Sequence, residues 1–204
     1  MAIRQVRTLG DPVRAKNCRE VKEMSPRLQE LVDVMLETMY DQDGVGLAAP
    51  QVGILRRIAV VDTGDMPETA GSAAESGAEG AAENEAENAA EGAAEGAAGQ
   101  EALDPLSFSN GPIVLVNPVI TETSGEQKGS EGCLSVPGKA GEVTRPLYVK
   151  VRAFDRDMNP FEVEGRGLLA RALCHEIDHL DGIMYVTKVE NGLYDVKDDD
   201  GEEA

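Results

Sequence analysis

The feature that most constrains this chain is a long central segment that cannot contribute to a hydrophobic core. Between Asp62 and Gly111 it has 50 residues with 12 carboxylates and no lysine or arginine. From Gly71 to Glu101 the only apolar side chain is the methyl group of alanine. Such a segment buries too little apolar surface to offset the entropy lost on ordering. We therefore expect a disordered acidic insertion over about 65–104, with the fold built from the residues on either side.

Most of the net charge of −19 belongs to this segment and to the C-terminus. The segment contributes −12 and an acidic tail over 195–204 contributes −5, which leaves −2 on the other 144 residues. That length is enough for one hydrophobic core, so we expect a single catalytic domain over 1–194, interrupted by the insertion. The acidic balance argues against direct nucleic-acid binding, which needs clustered cations.

The sequence predicts a cytoplasmic protein with no membrane partner. It has no run of 18 apolar residues, and its first residues lack the apolar stretch of a signal peptide. Three cysteines are too few, and odd in number, for a disulfide framework. Cys174 is expected to be an inert buried thiol and Cys18 an incidental surface residue.

Apolar spacing in the two flanking parts predicts an α+β fold. After Ser25-Pro26, apolar residues recur every three to four positions, which predicts an amphipathic helix ending before Asp41. The other predicted elements are a second helix over Leu168–Asp181 and strands at Ile58–Val61, Ile113–Val116 (bounded by Pro112 and Pro118), Tyr148–Phe154 and Phe161–Glu164. We expect small mixed or antiparallel sheets packed around the second helix, with the insertion at a hairpin tip.

The second predicted helix carries the clearest chemical motif, His175-Glu176-Ile177-Asp178-His179. Histidines at i and i+4 lie one turn apart on one face, so both imidazoles can bind one metal ion. Glu176 is about 100° round the helix from His175, close enough to reach a metal-bound water without being a ligand. The chain has no other histidine, which favours a metal site over two structural histidines.

A catalytic site of this kind needs a third protein ligand and an open position. Because a third histidine is missing, this ligand has to be a thiolate or a carboxylate. Cys133, in Glu131-Gly132-Cys133-Leu134-Ser135, is suited to present a thiolate from a loop. A carboxylate after the helix, Glu190 or Asp195, would instead indicate a metallopeptidase. The distance of the Cys133 sulfur from both imidazoles discriminates between the two.

Three motifs, taken together and in order, resemble the bacterial peptide deformylase family. They are G-V-G-L-A-A-P-Q at 44–51, E-G-C-L-S at 131–135 and H-E-I-D-H at 175–179. The resemblance implies Cys133, His175 and His179 as metal ligands and Glu176 as general base and acid. It implies one divalent ion, Fe(II) in the native protein, with zinc, nickel or cobalt as substitutes.

The resemblance also implies the reaction, which removes the formyl group from N-terminal N-formylmethionine of nascent proteins and releases formate. The side-chain amide of Gln51 and the backbone N–H of Leu134 would bind the developing oxyanion, and Gly46 would contact the substrate backbone. We expect the side chain of the formylated residue to be enclosed by Val45, Leu168, Arg171 and Ala172. Among these, Arg171 would use its aliphatic stem while its guanidinium reaches water.

The chain departs from the family pattern in three places. The acidic insertion is not part of the family pattern. The acidic tail replaces a basic helix that some members use to dock at the ribosome, which leaves the ribosome open as a partner. Arg14 stands where an apolar residue is expected, and we expect looser packing there. By the same resemblance, Glu131 would pair with Arg145 and hold the loop of Cys133.

The insertion should be dispensable for catalysis. The entropic cost of closing a long loop changes only logarithmically with its length. Replacing Asp65–Asp104 with a short glycine-containing turn should therefore leave metal content and turnover of small formyl-Met peptides nearly unchanged. The competing hypothesis is a lid or docking helix built from the Ala/Glu repeat. Loss of peptide turnover on deletion, or strong protection of the 81–98 amides from hydrogen exchange, would support the lid instead.

Overall fold

The computed structural model describes residues 3–64 and 105–196. The expected insertion over 65–104, and residues 197–204 of the expected tail, lie outside the described residues. The helices and strands, in chain order, are α1 (Pro26–Asp41), β1 (Gly46–Ala48), β2 (Ile58–Val61), β3 (Ile113–Ser124), β4 (Gln127–Gly132), β5 (Lys139–Arg145), β6 (Tyr148–Phe154), β7 (Pro160–Arg166), α2 (Gly167–Leu180) and β8 (Tyr194–Asp195). Short 3-10 helices lie at Pro12–Ala15, Ala49–Val52, Pro105–Ser107 and Tyr185–Thr187.

The strands form two antiparallel sheets, which confirms the predicted α+β class. One sheet has the order β1-β2-β3-β6-β7 and the other the order β4-β5-β8. In the described residues the only parallel pairing is an isolated bridge between Arg19 and Arg56, so neither sheet is mixed. Both helices agree with the prediction to within one residue at each end.

β3 is longer than the run predicted at Ile113–Val116. The prediction ended before Pro118 because proline cannot donate a hydrogen bond to a sheet. The strand instead continues to Ser124, and its register with β6 shifts between Val116 and Val119. Within this irregularity Asn117 has a positive φ of 51°. A local bulge thus accommodates the proline without ending the strand.

β2 is buried on both faces because one helix packs on each side of its sheet. Ala59 and Val61 belong to the hydrophobic cluster around α2, whereas Ile58 and Val60 belong to the cluster around α1. This arrangement explains why the sequence of β2 is a continuous apolar run rather than an alternation of apolar and polar residues. Cys18 lies in the α2 cluster and is 8% exposed, so the expectation of a surface cysteine was wrong.

On α2 one apolar stripe is buried in the hydrophobic core. It consists of Leu169, Leu173, Ile177 and Leu180. The two histidines lie one turn apart on a different side of the helix. Neither described helix is long and apolar enough to cross a membrane.

The flanks of the insertion are tied together at the end of the β2–β3 hairpin. Val61 pairs directly with Ile113. Just beyond this pair, the backbone N–H of Thr63 donates to Ser109 Oγ at 2.9 Å, and the N–H of Ser109 donates to Thr63 Oγ1 at 2.9 Å. Both residues are buried. These two reciprocal bonds, called the Thr63–Ser109 clasp below, close the hairpin before residue 65.

Candidate metal centre and cleft

Three side chains with metal-binding atoms converge at the end of α2. The rings of His175 and His179 lie edge to face with centroids 4.6 Å apart, and Cys133 Sγ lies 3.3 Å from His179 Nε2. The ligand atoms of all three residues lie within 4.8 Å of one another. Ligands of one tetrahedral ion are about 3.5 Å apart, because each is ~2.0–2.3 Å from the metal. The group therefore has the spacing that a single ion requires, and no second such group occurs in the described residues.

His175 is oriented by the buried carboxylate of Glu131. Its Nδ1 lies 3.1 Å from Glu131 Oε2, and because a carboxylate only accepts, Nδ1 carries a proton and Nε2 is the nitrogen left to bind a metal ion. Arg145 donates to both carboxylate oxygens, at 2.9 and 3.0 Å. Burial alone would raise the pKa of Glu131, but the hydrogen bonds from His175 and Arg145 outweigh it and lower the pKa to about 2. The sequence pointed to the Arg145–Glu131 pair but missed the bond to His175.

Arg171 also binds this carboxylate, which corrects one expectation. It lines the cleft, but its guanidinium does not reach water, because the residue is only 9% exposed. Nη1 donates to Glu131 Oε1 at 2.8 Å and to the carbonyls of Val143 and Gly129 at 3.0 and 3.3 Å. A buried anion with unused acceptor capacity draws the guanidinium inward.

Glu176 is buried beside the backbone of β1. A Cβ atom added at Gly46 would lie 2.5 Å from Glu176 Oε1, so only glycine leaves room for this carboxylate. Its Oε2 atom has no hydrogen-bond partner among the described residues. Burial raises the pKa of Glu176 to about 7. The group can therefore exchange a proton near neutral pH.

The amide of Gln51 is aimed at the cysteine loop. Its Oε1 accepts from the backbone N–H of Ala48 at 2.7 Å, which directs Nε2 toward Ser135 Oγ at 3.3 Å and Cys133 Sγ at 3.7 Å. Within the described part of the chain, the backbone N–H of Leu134 has no hydrogen-bond acceptor. Both groups line the cleft and can donate to an oxygen there. Ser135 was not singled out from the sequence.

These groups surround a cleft of about 540 Å³. The candidate site residues on its lining are Val45, Gly46, Gln51, Cys133, Leu134, Leu168, Arg171, Ala172, His175 and Glu176. His179 is absent from the lining and lies deeper, at 1% exposed. Val45 and Leu168, 44% and 43% exposed, form the apolar part of the rim.

Arg14 is the main residue whose place near the site the sequence did not reveal. It is 3% exposed, and its Nη2 lies 3.2 Å from His179 Nδ1 and 2.8 Å from Met184 Sδ. The only signal in the sequence was a basic residue where the family pattern has an apolar one. We had expected looser packing there, not a cation against a candidate ligand.

The carboxylates considered as alternative ligands lie elsewhere. Glu190 pairs with Lys128, and Asp195 pairs with Lys139, with carboxylate side chains that are 41% and 78% exposed. Neither belongs to the group of converging ligands. Cys174 is buried, and burial raises the pKa of its thiol to about 11, as expected for an inert cysteine.

Comparison with known proteins agrees with the geometry. The family model of polypeptide deformylase matches residues 3–193. A peptide deformylase of Agathobacter rectalis is 49% identical over 203 residues that span 100% of both chains, and one of Lachnoclostridium phytofermentans is 48% identical, spanning 100% of this chain and 99% of the relative. The crystal structure of a peptide deformylase from Legionella pneumophila superposes with a TM-score of 0.68 at 36% identity, covering 93% of this chain and 88% of that one. The chain belongs to the peptide deformylase family.

Proposed function

We propose that the cleft removes the formyl group from N-terminal N-formylmethionine with one metal ion bound by Cys133, His175 and His179. The reaction itself is that of the family: formate is released from the formylated N-terminus of nascent proteins. The observation that carries the residue assignment is the convergence of one sulfur and two imidazoles beside the buried carboxylate of Glu176. Three ligands leave a coordination position open, as a catalytic site requires.

The donor atoms fit a divalent ion. One thiolate and two imidazoles suit Fe(II), zinc, nickel or cobalt alike. From the family resemblance we propose Fe(II) as the native metal. When bound, the ion would polarise the formyl carbonyl and lower the pKa of a water molecule. His175 is oriented for this role because Glu131 accepts from its Nδ1–H and leaves Nε2 as the nitrogen that can coordinate.

Glu176 is proposed to move the proton. Its carboxylate is enclosed by protein and has one oxygen without a partner among the described residues. It can accept a proton from the attacking water and then donate it to the nitrogen that leaves with the peptide. Gly46 keeps the carboxylate in place, since a side chain there would overlap with it.

Gln51 and Leu134 are proposed to stabilise the negative charge that develops on the formyl oxygen. Each contributes one N–H donor to the cleft, and the Gln51 donor is held in place through its bond to Ala48. Donors fixed before the reaction stabilise charge without reorganisation. Gly46, which lines the cleft, is proposed to contact the substrate backbone.

The apolar rim is proposed to hold the methionine side chain. Val45 and Leu168 present apolar surface, and the small side chain of Ala172 leaves space between them. Arg171 contributes its stem alone, because its guanidinium is held by Glu131.

Nascent formylated peptides are the proposed substrates, and the cytoplasm is the proposed location. The acidic tail over 195–204 is unlike the basic helix by which some family members dock at the ribosome. Ribosome binding would therefore need another surface of this protein.

Replacing the proposed sulfur ligand should remove the metal. We expect Cys133→Ala to lose stoichiometric metal after dialysis, measured by elemental analysis. Cys174→Ala is the matched control, because it deletes a thiol next to His175 that points into the core, and it should keep the metal. Metal retained by Cys133→Ala and lost in Glu190→Gln would favour a carboxylate ligand.

Replacing the proposed base should separate metal binding from catalysis. Glu176→Gln should retain one equivalent of metal and lower kcat by ~10²–10⁴, the usual value of general acid–base catalysis. Glu190→Gln serves as the control for charge and size. Turnover of Glu176→Gln within a few fold of the parent protein would disprove the role.

Filling the pocket should change specificity. Ala172→Leu should raise KM for formyl-Met peptides more than for formyl-Ala peptides, because only the longer side chain needs the space beside Ala172. Steady-state kinetics with both peptides measures the difference. An equal effect on the two substrates would place the pocket elsewhere.

A further inference from the structure

Arg14 is a buried cation placed behind the innermost candidate ligand. Its Nη1 donates to the carbonyl of Arg7 at 3.0 Å, and its Nη2 lies 3.2 Å from His179 Nδ1. Among the described residues, Arg14 forms no ion pair with a carboxylate, and its Nε has no hydrogen-bond partner. A buried guanidinium with no carboxylate at ion-pair distance is costly.

The two histidines are consequently supported in opposite ways. Glu131 accepts the Nδ1 proton of His175 and leaves Nε2 free. A guanidinium has donors only, so toward Arg14 the Nδ1 of His179 has to accept. In a neutral imidazole this arrangement places the proton on Nε2, the atom that faces Cys133 Sγ at 3.3 Å. When Nε2 instead binds a metal ion, the proton moves to Nδ1 and meets the N–H of Arg14, donor against donor.

The positive charge of Arg14 also disfavours metal binding. A divalent ion would add positive charge beside a guanidinium that otherwise lies near Cys133 and the carboxylate of Glu176, and this added charge repels it. Without the ion, the guanidinium faces a thiolate, which attracts it, or a thiol, which is neutral. In either case its presence favours the metal-free state.

We propose that Arg14 weakens metal binding in this chain: coordination by His179 has to displace the guanidinium from Nδ1, so the ion is held less tightly than with an uncharged residue at this position. The inference rests on the proposed metal site. It makes Arg14 a positioning residue that acts through His179 and does not itself touch the substrate.

The test is the equilibrium affinity for Zn²⁺, measured by competition with a chelator for the parent protein and its variants. Arg14→Leu and Arg14→Gln should bind Zn²⁺ about 10–100-fold more tightly, the range found when residues behind metal ligands are changed. Gln should have the larger effect, because its side-chain oxygen can accept from Nδ1–H. Arg14→Lys, which keeps the charge, should stay within a few fold of the parent.

Arg7→Leu is the matched control, since it removes an equal charge from the same segment at a side chain that is 53% exposed. It should leave the affinity unchanged. Absorption spectra of the Co²⁺-loaded variants should show the same thiolate and imidazole ligands as the parent. Equal or weaker Zn²⁺ affinity in folded Arg14→Leu and Arg14→Gln, with the same ligands, overturns the inference and leaves the proposed site intact. If the parent protein binds no Zn²⁺ through Cys133, the inference and the proposed site both fail.

Discussion

The carboxylate of Glu131 is the interaction on which the candidate site depends. It is buried on β4 and accepts hydrogen bonds from Arg145 on β5 and from Arg171 and His175 on α2. One anion therefore connects the small sheet to the helix that carries the histidines. Removing this carboxylate would leave the buried guanidinium of Arg171 without its ion-pair partner, which costs far more than the loss of a surface ion pair. The loop of Cys133 begins two residues after Glu131, so the same anion sets where the sulfur lies.

Local patterns predicted most of the fold. Both helices and β2 follow from apolar spacing alone, because each buries a well-defined face or pair of faces. β3 was cut short because Pro118 reads as a strand end, and only the pairing with β6 reveals the bulge that carries the strand past it. The arrangement of the described strands in two antiparallel sheets depends on tertiary pairing, which local patterns do not contain.

The candidate site, too, was predicted in part from local patterns, and the rest depends on contacts between distant segments. The i, i+4 spacing of His175 and His179 indicates a shared ligand face without any knowledge of the fold. The approach of Cys133, by contrast, depends on a contact between distant segments, and it was suggested by the family resemblance. The roles of Arg14 and Ser135 could not be inferred, since their neighbours in space are far away in sequence. The sequence correctly placed Arg171 at the cleft. It did not predict that the guanidinium points inward, because that depends on a buried anion, Glu131, on strand β4.

The Thr63–Ser109 clasp also has a mechanical consequence. The described chain on the two sides of residues 65–104 meets at the end of the β2–β3 hairpin, where Thr63 bonds to Ser109. On the Thr63 side, a pull on the chain would load these two hydrogen bonds first and then separate β2 from β3 one pair at a time. On the other side, the pull would first load the packing of the 3-10 helix at Pro105–Ser107 against α2 and β7. The pull would have to break the clasp and the pairs from Val61 to Ile58 before it reached the far end of the hairpin. Tension on the acidic segment would thus be absorbed at β2 and β3 within the larger sheet before it reached the smaller sheet that carries Glu131.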